Sequence, residues 1–276
     1  MTPGCKTLLI FNGDYACECW KKSCPSEVEK VTFLVWRENY LEGPLPSGVS
    51  PEVFEKTRAD FLHTCVPEYS AEGIYRYLMN LHTTLKEFEG PECEIILYFD
   101  CCMYDMIMLA RILSLLKNAG GRIRLFCEDV ILGNAPEVFQ QDISSLRVLS
   151  PEQIALYAHA WECVLGGSAA VAQFNQQNLA AEEPFLAQAS VRYGEDHPAD
   201  GTMGRSQRQL LEIVRSGVCA FPEIFRAFDK YEQYMFMGDT FCLRLLEELV
   251  RMGLLCMKKS SDTDPYPAFY PAERGK

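Results

Sequence analysis

The sequence predicts an open α/β fold. Its core is a mostly parallel, Rossmann-like sheet of order 2-1-3-4, followed by a helical segment and a winged-helix-like C-terminal part. Three observations predict it. Two runs, residues 6–11 (Lys-Thr-Leu-Leu-Ile-Phe) and 94–99 (Glu-Ile-Ile-Leu-Tyr-Phe), show no polar alternation, the pattern of strands buried on both faces. Both give way to helix-like sequence, and an acid stands just past each: Asp14 after Asn12 and Gly13, and Asp100 directly after Phe99. Strand-like and helix-like segments then alternate, as parallel sheets with right-handed crossovers require.

The elements follow in order. The first strand is 6–11, and a short helix runs from Asp14 to about Ser23, with Pro25 beyond it. The second strand is Val31 to Trp36. Residues 37–50 contain two Pro and two Gly and read as an ordered loop. Ser50 and Pro51 start a helix to about Cys65, with a capping hydroxyl and Pro at the first helical position. From Ser70 to about Phe88, Ile74, Tyr77, Leu78, Leu81 and Leu85 recur at helical spacing. The third strand is about 93–99. Tyr104 to Lys117 reads as an amphipathic helix with Ile107, Met108, Ala110, Ile112, Leu115 and Leu116 inward, stopped by Gly120 and Gly121. The fourth strand is 122–127. In this order the sheet reverses between strands one and three, which brings Asp14 and Asp100 to one crevice. Ser150 and Pro151 repeat the capped start for a helix to about Leu165, and another helix covers 169–181. Residues 192–204 lack an apolar period and read as a linker. Three short helices (206–215, 221–231, 239–252) and two strands flanking a turn at 260–265 complete the chain. The domains expected are 1–149, 150–204 and 205–276.

Composition narrows the function. A net charge of -12 argues against nonspecific attraction to nucleic acid or to an anionic membrane surface. The acidity lies in residues 1–200, with 15 basic and 28 acidic side chains; residues 201–276 are near neutral, with 11 and 10. Thirteen cysteines, an odd number and many inside apolar runs, read as reduced, buried thiols of a cytoplasmic protein. The pairs Cys17/Cys19 and Cys101/Cys102 lack a second half, and the four histidines show no ligand spacing, so no metal is expected. No run reaches the length of a membrane span, and the N-terminal residues do not read as a signal peptide.

The candidate ligand-binding residues are Asn12, Gly13, Asp14, Glu38, Arg58 and Asp100. Gly13 allows a tight turn and close backbone approach at a strand end. Asp14 and Asp100 can each cap the following helix or face a ligand, and together they could share a proton or bind a cation. Arg58 can reach a ligand carboxylate or phosphate, or pair with Glu38 or Asp14. Asp105, in a first helical turn, reads as structural. There is no dinucleotide fingerprint, no phosphate loop and no triad order. The third C-terminal helix carries Arg244 and Arg251 against Asp239, Glu247 and Glu248, a poor face for reading a DNA groove.

These residues also carry a resemblance. Leu8 to Asp14, Val35 to Glu38, Glu42 to Leu45, Arg58 with Phe61 and Leu62, and Ile96 to Asp100 with Asp105 and Leu109 resemble the bacterial domain-of-unknown-function 1835 family. Arg205 to Leu211, Phe221 to Phe225 and Phe236 to Phe241 are similar to its companion domain of unknown function 3658. The resemblance implies a bacterial protein with this two-part organisation and no known activity; Tyr15 stands where that family commonly has Ser. The expected function is binding of a small molecule, a nucleotide or phosphorylated metabolite, at the carboxyl edge of the sheet, with catalysis on it left open and no particular cofactor indicated. The alternative is a regulatory protein whose C-terminal part docks a protein partner or a second copy, with DNA less favoured.

Overall fold

The computed structural model describes residues 6–177, 182–232, 238–259 and 266–272. Its centre is a five-stranded sheet of order β2-β1-β3-β4-β5, formed by Lys6–Phe11 (β1), Thr32–Val35 (β2), Cys93–Tyr98 (β3), Arg122–Phe126 (β4) and Arg147–Val148 (β5). The first four are parallel, and β5 is antiparallel to β4. The fold is therefore the mostly parallel Rossmann-like α/β fold that the buried apolar runs predict. The short edge strand β5 was not expected: two residues, both exposed, carry no periodicity to read.

Two apolar layers cover the sheet. On one face Leu9, Phe11, Ile96, Tyr98 and Phe126 pack on Ala16, Cys17 and Trp20 of α1 (Asp14–Ser23) and on the 3-10 turns around Leu132 and Phe139. On the other, Leu8, Ile10, Leu34, Ile95, Leu97, Ile123 and Leu125 share one core with most of the helices. These are α2 (Pro51–Cys65), α3 (Ala71–Lys86), α4 (Met103–Leu115) and α5 (Pro151–Leu165), then α6 (Ser168–Phe174) and α7 (Pro184–Asp196). The Ser150 hydroxyl and the Gln153 amide form the capping box that starts α5. Helix α4 is not amphipathic as expected. Wedged between the sheet and α5 and α7, it buries charged positions such as Asp105 and Arg111 along with its apolar residues.

Residues 192–196, expected in a linker, are the last turns of α7, whose Leu186, Ala189 and Tyr193 are buried. Pro184 starts that helix where a broken apolar pattern hid it. The helix expected over 169–181 ends at Phe174, and 178–181 lie outside the described residues. Three helices follow, α8 (Arg205–Arg215), α9 (Phe221–Asp229) and α10 (Asp239–Arg251), and then the antiparallel pair β6 (Leu255–Lys258) and β7 (Ala268–Pro271). The turn at 260–265 and residues Phe236 and Met237 lie outside the described residues. Among the described residues no helix is long and apolar enough to cross a membrane.

Candidate functional site

The register of β1 against β3 sets Phe11 beside Tyr98, so both strands end on the same edge. Asn12 follows β1 directly and Asp100 lies two residues past the end of β3, at the point where the strand order reverses. The Asn12 side-chain amide donates to Asp100 Oδ2 at 3.1 Å and also to Asp105 Oδ2. The Asp100 backbone N–H donates to Asp105 Oδ2 at 2.7 Å, and the Leu132 N–H to Asp100 Oδ1 at 2.8 Å. One amide thus holds two carboxyl groups side by side.

Burial raises the pKa of Asp100, against the pull of its hydrogen bonds from Leu132 and Asn12. Burial raises Asp105 further, well above the ordinary aspartate value, and the neighbouring Asp100 charge adds to it. Burial and repulsion together disfavour a charge on both carboxyls at once.

The three side chains form one end of a cleft of about 500 Å³. Its floor is the sheet edge, with Gly13, Tyr15 and Leu132. Its walls are Asn39, Leu41 and Glu42 from the loop after β2, and Leu62, Cys65 and Val66 from the end of α2. The first turn of α10, Gly238 to Phe241, completes it. Helices α1, α4 and α10 all begin at this cleft without a side-chain cap, and each has an acid in its first turn: Asp14, Asp105 and Asp239. Arg244 of α10 ties the C-terminal segment to the rest of the wall. Its Nε lies 2.9 Å from Glu42 Oε2, a guanidinium nitrogen contacts Cys65 Sγ, and the group sits 4.8 Å over the Phe61 ring.

Of the residues expected at the site, the structure brings Asn12, Gly13 and Asp100 into the cleft. Asp14 points away from it. Its carboxylate is half-exposed and pairs twice with Arg37, with Nε to Oδ2 at 2.6 Å, and that hydrogen bond holds its pKa below the usual value.

Glu38 and Arg58 do not line the cleft either; they lie behind it, fully buried against each other at 2.7 Å. Arg58 also donates to the carbonyls of Asn39, Glu42 and Pro44, so every edge of its guanidinium is used to shape the 38–44 loop. Gly43 completes that turn with φ +77°, and a Cβ there would strike the Phe61 ring.

Gly13 corrects its expected role. Its backbone is extended, and a Cβ added there would meet no protein atom within 4 Å. It guards open space rather than a tight turn. Asp105 is the site residue that the sequence undervalued. An acid in a first helical turn looks like a dipole cap, and only the burial of α4 shows otherwise.

A second hollow of about 530 Å³ lies beside α7 and α8, lined in part by Arg192, Glu195, Arg205 and Glu232. Those charges are already paired with one another, which leaves nothing for a ligand to satisfy. Among the described residues no group of His, Cys, Asp and Glu is arranged to hold a metal ion. Compared with known proteins, the chain matches no family model and no curated protein.

Proposed function

We propose that this protein binds a small organic molecule in the cleft at the carboxyl edge of β1 and β3. The Asn12–Asp100–Asp105 cluster would recognise the polar end of that molecule. The observation that carries the reading is the coincidence of three features. A hydrogen-bonded polar cluster stands at the reversal of strand order, it opens into a cleft with apolar walls, and Gly13 leaves room there for a ligand to approach the backbone. A phosphorylated ligand has less support than the rest of the reading. The helix N-termini favour an anion, but each already carries its own acid, and no Lys, Arg or His is among the described lining residues. The two parts of the chain are proposed relatives of the domain-of-unknown-function 1835 and 3658 families, on the residues quoted above.

Thermal shift against a panel of nucleosides, nucleotides, sugars, amines and amino acids tests this reading. A ligand should raise the Tm of the parent. Asp100→Asn and Asn12→Ala should abolish the rise. A ligand whose shift persists in both variants would place the site elsewhere.

A second reading, an interaction role for the C-terminal helices and hairpin as a winged-helix module, has one observation behind it. Tyr231, Met252, Tyr266 and Tyr270 are all exposed there. DNA has little support as the partner, because Arg244, one of two cations on α10, is spent on Glu42.

A further inference from the structure

We infer that the polar end of the cleft receives a cationic amino or amidino group, so that the ligand is a small amine with an apolar body. This rests on the cleft being the ligand site. Five acidic side chains are buried among the described residues: Glu38, Glu55, Glu94, Asp105 and Glu183. Four of them have a basic partner within the protein. Glu38 pairs with Arg58, Glu55 with Arg111 and His82, Glu94 with Arg124, and Glu183 with Arg147. Asp105 is the exception. Only 2% exposed, it has neutral donors alone, Asn12 Nδ2 and the Asp100 N–H, and both of these reach Oδ2. Its other oxygen, Oδ1, takes no hydrogen bond from any described residue, and the residue lines the cleft. Buried acids are kept charged by partners, and here the protein supplies none. The missing cation is one that a ligand can bring.

The surroundings agree. Of the other acids on the lining, Glu42 is paired with Arg244 and bonded to Asn39, and Asp239 is exposed, so that water already solvates its charge. An incoming cation is therefore drawn to the Asp100–Asp105 end. The helix N-termini oppose a positive charge, but Asp105 and Asp239 offset those of α4 and α10. Leu41, Leu62, Val66 and Phe241 form an apolar wall for the body of the ligand, and the Tyr15 and Tyr104 rings can face its charge.

The test uses the full chain and matched pairs of probes: 2-phenylethylamine against 2-phenylethanol, tyramine against tyrosol, and agmatine. Calorimetry should show at least one amine binding the parent, and each aromatic amine about tenfold or more tighter than its alcohol, the worth of a charge-assisted hydrogen bond. Asp105→Asn and Asp100→Asn should each lose that preference. Asp14→Asn, outside the lining, should keep it. If alcohols bind as tightly as amines and Gly13→Leu removes both, the cleft is the site and the charge assignment is overturned. If no amine binds the parent, the assignment is likewise overturned. If amine binding survives Gly13→Leu and both Asp→Asn variants, the ligand lies elsewhere and the reading of the cleft falls with it.

Discussion

Asp105 gives the native state a dependence on pH whose sign follows from its raised pKa. The unfolded chain releases this proton near the ordinary aspartate value of 3.8, whereas the folded chain holds it to higher pH. Below the lower value both states are protonated and the group does not affect the balance. As pH rises toward the folded value the unfolded state loses its proton first, and stability falls. Asp105→Asn keeps an oxygen to accept the Asn12 and Asp100 hydrogen bonds and removes the charge. It should therefore stabilise the protein by about 1–3 kcal/mol near pH 8 and by little near pH 4. Denaturant curves for parent and variant across that range check this, and parallel curves would refute it. Substitution at Arg58 has the opposite effect on stability. Removing the guanidinium in Arg58→Met leaves a buried carboxylate and three carbonyls without their donor, at a cost of about 3–5 kcal/mol. The exposed Arg37–Asp14 pair is a different case, and Asp14→Asn should stay within about 0.5 kcal/mol of the parent.

At the scale of elements, legibility followed periodicity and capping. The parallel strands are continuous apolar runs, and α2 and α5 start at a Ser-Pro pair that both caps and preorganises the helix, so their positions could be read within a residue or two. The order 2-1-3-4 followed, and with it a crevice at the ends of β1 and β3, but the residue that meets Asp100 there is Asn12 and not the expected Asp14, which turns to Arg37. What spacing cannot supply is direction. Arg58 was correctly placed on α2 beside the loop, but which way its guanidinium turned depended on Glu38 and three carbonyls distant in sequence. The part of the cleft wall from α10 was also invisible, because Arg244 meets Glu42 across about two hundred residues of chain. That contact makes its own prediction. Arg244→Ala should loosen the first turns of α10, so amide exchange in 239–245 should quicken while β1 and β3 stay protected. Equal acceleration in the sheet would mean that Arg244 supports the whole fold and not the wall alone.

Across the whole molecule, one buried cluster runs from Leu8 in β1 through α4 and α7 to Leu246 in α10 and Phe269 in β7. A chain of this length often unfolds in stages, with domains separating at a linker. Here the stretch read as a linker contributes Tyr193 to the core, and Arg192 on the same helix is bonded to Ser206 of α8 and paired with Glu232. Separating residues 205–272 from the rest would expose that seam and the wall of the cleft together. The chain should therefore unfold in one cooperative transition. Three buried thiols report on it from different places: Cys93 in β3, Cys163 in α5 and Cys242 in α10. Pulse labelling along a denaturant series should find all three becoming reactive at the same midpoint, with the same dependence on denaturant. If Cys242 reacts at a lower concentration than Cys93, the C-terminal helices melt alone, and the continuous core does not couple them to the sheet.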